Sequence, residues 1–156
     1  MPAEKIKHLS KLSYNKELML SEIKYATFFV EENKLNGWEK AIVKDVVECT
    51  EVVRIYNELK AQLSTDDITA RYYIQRTGNT ILPHTDGKCH TSINIVLSSG
   101  SETIYFGDSA YAYTCAILNV GQHMHQVHSV ESNRILVRYP IYDTSLTFQS
   151  ICNLLN

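Results

Sequence analysis

Between residues 68 and 142 the chain breaks into seven short runs rich in β-branched and aromatic residues, at 68–76, 80–84, 90–97, 102–106, 112–118, 125–130 and 134–142. Turn-forming residues separate them, in Thr77-Gly78-Asn79, Ser98-Ser99-Gly100, Gly107-Asp108-Ser109 and Gly121. Strands this short, this numerous and this closely spaced imply a β-sandwich or barrel.

The residues before Ser64-Thr65-Asp66-Asp67 have a different texture. Ser21 is placed to cap a helix running through Phe28 and Phe29 to about Asn33, with Asn36-Gly37 as a break. From Trp38 to Leu63, apolar residues at Ile42, Val46, Cys49, Val53, Tyr56, Leu59 and Leu63 recur in steps of three and four, the mark of one long amphipathic helix packed outside the sheet. Residues 145–155 suit a short closing helix. The organisation expected is a single domain over 1–156: helical elements over 1–65, a β core over 68–143, and a terminal helix over 145–156. Trp38 reads as a core anchor, and most of the strand tyrosines read as packing, since strands favour tyrosine.

Composition narrows the function classes. A net charge of −2, without any block of like charges, argues against a general nucleic-acid binder. No apolar run is long enough to span a bilayer, and the start lacks the apolar core of a secretory signal. Cys49, Cys89, Cys115 and Cys152 show no paired spacing, so they read as reduced thiols and the expected location is the cytoplasm.

One constellation carries chemistry. His84 and Asp86, two apart at the end of a β run, emerge on the same face of an extended strand. Pro83 suits a strand boundary. Two imidazoles and one carboxylate on one face of a metal, with the opposite face open, are what non-haem Fe(II) chemistry with O2 requires. The second imidazole has to come from His123, His125 or His128. His123 and His125 share strand parity and His128 points the other way. Arg134 opens the next strand and Arg138 shares its parity. His90 reads as a structural or substrate-side residue and His8 as an exposed one.

These residues, with Ser92-Ile93-Asn94-Ile95-Val96-Leu97, Leu118-Asn119, His125-Gln126-Val127 and Arg134-Ile135-Leu136-Val137, give residues 72–142 a pattern that resembles the 2-oxoglutarate/Fe(II)-dependent dioxygenases. The small prolyl- and aspartyl/asparaginyl-hydroxylase-like members of phages and bacteria resemble it most. The resemblance covers about half of the chain. It implies an α+β fold with a mainly β core, a cupin-like double-stranded β-helix (jelly roll) with helices packed outside. It implies His84, Asp86 and His125 as Fe(II) ligands, Arg134 on the distal carboxylate of the co-substrate 2-oxoglutarate, and Ser92 and Asn94 as further co-substrate contacts. A guanidinium fork on a strand start suits that carboxylate, because it makes two parallel charge-assisted hydrogen bonds. The spacing from His128 to Arg138 gives a rival frame. Gln75 stands where prolyl hydroxylases often carry a tyrosine.

The function expected is therefore a hydroxylase-type oxidoreductase using O2 on an amino-acid side chain, a peptide or a small metabolite. Two alternatives stand beside it: a cupin-like metal- or ligand-binding module without oxygenase activity, and a structural jelly roll with incidental histidines.

Overall fold

In the computed structural model, residues 4–30, 38–98, 102–128 and 130–156 are described. In chain order they form β1 (Ile6–His8), α1 (Lys16–Glu22), β2 (Phe29–Val30), β3 (Trp38–Ile42), α2 (Thr50–Leu63), β4 (Arg71–Gln75), β5 (Ile81–His84), β6 (Thr91–Val96), β7 (Glu102–Phe106), β8 (Ser109–Tyr113), β9 (Cys115–Leu118), β10 (His125–Val127), β11 (Arg134–Ile141) and α3 (Phe148–Leu155). A 3-10 turn, Ile23–Tyr25, follows α1. None of the described helices is long and apolar enough to cross a membrane.

The strands build two antiparallel sheets, ordered β1-β9-β6-β11-β4-β3-β2 and β5-β10-β7-β8. Alternation along β6 shows how they stack. Ile93 and Ile95 point to one side and join Tyr72, Ile117, Val137 and Tyr139 in a core with Val52, Ile55 and Leu59 of α2 and Ile151 of α3. Val96 points the other way and joins Ala116 and Leu118 against Ile81, Ile104, Phe106 and Val127 of the smaller sheet. Helices thus cover the outer face of the large sheet, and the small sheet covers its inner face. The fold is an α+β double-stranded β-helix. Each fully buried aliphatic side chain here stabilises by about 1.5–3 kcal/mol. Two of the tyrosines are outer-face packing with a satisfied hydroxyl: Tyr72 donates to the Met19 carbonyl at 2.6 Å and Tyr139 to the Val52 carbonyl at 2.9 Å.

Three expectations change. The helix expected from Ser21 is instead α1, capped by the Asn15 side chain, which accepts from the Leu18 N–H at 3.0 Å. Ser21 lies inside it, and Phe29 is already in a strand. Asn33 and Asn36-Gly37 lie outside the described residues. The single helix from Trp38 to Leu63 is a strand followed by a helix: β3 pairs with β4, and α2 starts only at Thr50. Its start is set from outside, because the Glu22 carboxylate accepts from Thr50 N (2.9 Å), Thr50 Oγ1 (2.7 Å) and Glu51 N (3.0 Å). The two N–H groups are among those a helix leaves without internal partners. The run 112–118 is also two strands. β8 belongs to the small sheet and β9 to the large one, so the chain changes sheets at Thr114. The turn at Ser99-Gly100 lies outside the described residues.

Candidate metal centre

β5 and β10 are neighbours in the small sheet, and their register puts His125 directly opposite His84. β5 is an edge of that sheet, where Pro83 removes no needed donor. Past His84 the strand ends, and the Asp86 N–H donates to the Val120 carbonyl at 3.0 Å. That bond fixes the loop so that the carboxylate returns toward both imidazoles. The partner loop can come this close because Gly121 has no side chain: a Cβ there would lie 2.6 Å from the His90 Cα.

Asp86 Oδ1 is 3.3 Å from His84 Nε2 and 3.3 Å from His125 Nε2. One ligand atom from each residue lies within 4.8 Å of the others. The far nitrogen of each ring is held by main chain. His84 Nδ1 meets the Leu82 carbonyl at 2.6 Å and His125 Nδ1 meets the His123 carbonyl at 3.0 Å. A carbonyl only accepts, so both Nδ1 atoms carry the proton and both Nε2 atoms are left to face the carboxylate. This is the outer-shell pattern that sets the tautomer of a metal-binding histidine.

Asp86 has a second partner. Its Oδ2 accepts from Arg138 Nη2, and both side chains are largely buried. One carboxylate oxygen therefore faces the histidines while the other is tethered to a guanidinium. Burial alone would push the Asp86 carboxyl up. Arg138, with the two histidines, outweighs it and holds the group well below the usual carboxylate range. The hydrogen bond to Asp86 raises the pKa of His84 against the opposing effect of burial.

Behind the cluster, between the sheets, lies a small cavity of about 40 Å³. His84 and His125 border one end and Arg134 lies on its wall, with Ile104, Leu118 and Leu136 as apolar lining. Arg134 is 2% exposed. Its Nη2 donates to Tyr113 Oη at 3.1 Å, and its Cζ lies 5.3 Å from the Trp38 ring centroid. Tyr113 Oη also accepts from Asn94 Nδ2 at 3.1 Å, and Asn94 Oδ1 accepts from Ser92 Oγ at 3.1 Å. Accepting from two donors leaves the Tyr113 O–H proton to give away. Ser92, Asn94, Tyr113 and Arg134 thus form one hydrogen-bonded row.

The other sequence candidates sit elsewhere. His128 follows β10 and stacks on Tyr105 with centroids 4.1 Å apart, outside the cluster. His123 contributes only its carbonyl to it. His90 is structural: its ring nitrogens meet Thr91 Oγ1 and the Asp143 carbonyl, each at 2.8 Å. Buried Gln75 donates to the carbonyls of Asn79 (2.7 Å) and His128 (3.3 Å). All four cysteines are buried and free, and burial pushes Cys115 up to about 12. Sequence reasoning missed Trp38, Lys40, Arg71, Tyr73 and Tyr113. The first four share the inner face with Arg138, a parity that becomes readable only once β3 is known to be a strand.

The residues suit a divalent metal on observations of the chain itself: two Nε2 atoms with correct tautomers, one oriented carboxylate oxygen, and ligand spacing within reach of one ion. No protein-family model and no curated protein matches the sequence. The fold does have solved relatives. A prolyl hydroxylase from Trichoplax adhaerens, in complex with a hypoxia inducible factor oxygen degradation domain peptide fragment, superposes with a TM-score of 0.69 at 14% identity, over 90% of this chain and 83% of that one. A Pseudomonas putida prolyl-4-hydroxylase gives 0.61 at 12%, over 81% and 84%. An oxidoreductase of the 2OG-Fe(II) oxygenase family from Burkholderia pseudomallei gives 0.53 at 12%, over 77% and 74%. At these identities the likeness is one of architecture: the chain shares the double-stranded β-helix fold of these proteins.

Proposed function

We propose that this chain is an Fe(II)- and 2-oxoglutarate-dependent dioxygenase that hydroxylates an amino-acid side chain, a peptide or a small metabolite. The observation that carries the reading is the facing set of His84 Nε2, His125 Nε2 and Asp86 Oδ1, with both Nδ1 atoms already committed to carbonyls. His84, Asp86 and His125 would hold the iron. Arg134 would take the distal carboxylate of 2-oxoglutarate, with Tyr113 donating beside it and Asn94 and Ser92 holding Tyr113 in place. The peptide held by the Trichoplax neighbour supports a peptide as one substrate option.

When bound, iron would supply the O2 chemistry of the balanced reaction R–H + 2-oxoglutarate + O2 → R–OH + succinate + CO2. The chain's own part is positional. The carbonyl-tethered imidazoles keep Nε2 aimed at one point, and Arg138 keeps the Asp86 carboxylate ionised and turned. The apolar walls of Ile104, Leu118 and Leu136 keep water from the cavity between the sheets.

The test is calorimetry with Mn(II), then 2-oxoglutarate or the inert mimic N-oxalylglycine, followed by succinate release with Fe(II) and candidate substrates. Mn(II) should bind, 2-oxoglutarate should bind in its presence, and His84→Ala should abolish both metal-dependent binding and succinate formation. Metal binding without any affinity for 2-oxoglutarate would instead make the chain a binding module.

A further inference from the structure

We infer that the cleft outside the metal centre is a subsite for a negatively charged group of the substrate, a carboxylate or a phosphate, gripped by Arg71 and Arg138. The inference takes its reaction from the oxygenase reading above, but its geometry is independent of it. Two spaces meet at the candidate metal centre, with Trp38, His84 and Arg138 bordering both. The inner one runs to Arg134. The outer one, about 410 Å³, is bordered by His84, Asp86 and Arg138 and opens past Arg71, Lys40 and Lys88. That volume is in the range of small-molecule sites.

Its charge is lopsided. Among the described residues lining it, Lys40, Arg71, Lys88 and Arg138 are cationic and Asp86 is the single carboxylate. This gathering occurs on a chain whose net charge is −2, so it is a local arrangement and not a reflection of overall basicity. The one carboxylate is already used. Its Oδ2 accepts from Arg138 and its Oδ1 faces the two imidazoles, and a divalent ion there would take up its charge altogether.

Arg71 makes no ion pair with a carboxylate among the described residues. It lies directly across the strand pair from Arg138, on the same face, and like charges placed opposite one another are unfavourable unless something intervenes. Its Nη1 donates to Tyr73 Oη at 3.0 Å, while its Nε is buried and makes no hydrogen bond. A guanidinium that lines a cleft of substrate size across the strand pair from a second guanidinium matches an oxyanion that can bridge the two. Trp38, Tyr73 and Tyr142 flank the cleft and would cover the apolar part of such a molecule. An anion anchored at Arg71 leaves the rest of the substrate lying toward His84 and Asp86, where the C–H to be oxidised belongs.

The experiment uses the full chain loaded with Mn(II) and 2-oxoglutarate, titrated with two matched pairs: N-acetyl-aspartate amide against N-acetyl-asparagine amide, and glycerol 3-phosphate against glycerol. The pairs distinguish a carboxylate from a phosphate as the preferred group. At least one acid should bind about tenfold or more tightly than its neutral counterpart, the size of effect that charge-assisted bidentate pairing supports. Arg71→Gln should remove that preference and Arg71→Lys should keep part of it, while 2-oxoglutarate affinity stays within about twofold of wild type. Equal binding of acid and neutral probes by the wild-type chain overturns the inference, whether or not the Arg71 variants fold, and so does a preference that survives Arg71→Gln. If 2-oxoglutarate fails to bind, the same titrations on the Mn(II)-loaded protein still decide the subsite. An acid preference lost in Arg71→Gln then refutes the oxygenase reading alone.

Discussion

Replacing Arg138 by glutamine isolates the electrostatic core of the site. The Arg138 and Asp86 side chains are 16% and 12% exposed, so removing one partner leaves a mostly buried carboxylate without its guanidinium. Breaking a buried pair in this way costs about 3–5 kcal/mol. Two features place Arg138→Gln near the lower end. The residual exposure lets water reach Asp86, and the change also relieves the repulsion with Arg71 opposite, worth roughly 0.2–1 kcal/mol. The expected loss in metal-free protein is about 2–3 kcal/mol, or roughly 5–10 °C in Tm for a chain of this size. Arg76 and Glu39 provide the control. They form a two-donor pair, but at 49% and 21% exposure, so Arg76→Gln should cost about 1 kcal/mol or less. Urea denaturation at pH 7 in EDTA compares the two variants, and repeating it with Mn(II) adds a second check. A dication on Asp86 would replace the missing guanidinium charge, so the Arg138→Gln loss should shrink while the Arg76→Gln loss stays put. Equal stability of the two variants without metal would refute the assignment of Arg138 as the group that compensates Asp86.

Two further changes probe the frame that carries the site. Gly121→Ala puts a Cβ 2.6 Å from the His90 Cα, so the loop beside Asp86 must move; a loss of about 1–3 kcal/mol and weakened Mn(II) binding are expected by thermal melting and calorimetry. Glu22→Gln weakens the caps on α2 and should cost about 0.5–2 kcal/mol in urea at pH 7. For Glu22, burial acts to raise the carboxyl pKa, but the hydrogen bonds from Thr50 and Glu51 leave it below its ordinary 4.5. The unfolded chain therefore binds that proton more readily, so this contribution is full above about pH 4.5 and fades as pH falls through the lower folded value. The wild type should lose its advantage over Glu22→Gln on going from pH 7 to pH 3, and an advantage constant across that range would remove the carboxylate from the account.

Much of the β core was legible because its signals are local. Alternation in 91–96 places Ile93 and Ile95 on one face and Ser92 and Asn94 on the other whatever the neighbours are. The helix boundaries were not legible, for a reason visible in Glu22. No glycine or proline interrupts residues 38–63, and the apolar steps run on through both β3 and α2. What ends the strand and starts the helix is tertiary: pairing of Trp38–Ile42 with β4, and a carboxylate from α1 satisfying the first N–H groups of α2. Thr114 hides its corner in the same way, since 112–118 reads as one β run and only the two sheets divide it.

The candidate site divides along the same line. His84, Asp86 and the segment holding His125 were visible because their spacing is short and their chemistry uncommon, and the opposition of His84 and His125 follows from adjacent antiparallel strands. Parity could not rank Arg134 against Arg138, because both point inward. What separates them is depth along β11: Arg134 lies beside the Tyr113 hydroxyl, whereas Arg138 lies level with Asn94 on one side and Arg71 on the other, within reach of Asp86. One strand therefore presents two guanidiniums on one face, four positions apart, and both border the space between the sheets. With a rise of about 3.3 Å per residue they are roughly 13 Å apart along the backbone. On the proposed reading, the 2-oxoglutarate carboxylate would lie at the Arg134 end of that span and the substrate anion at the Arg138 end.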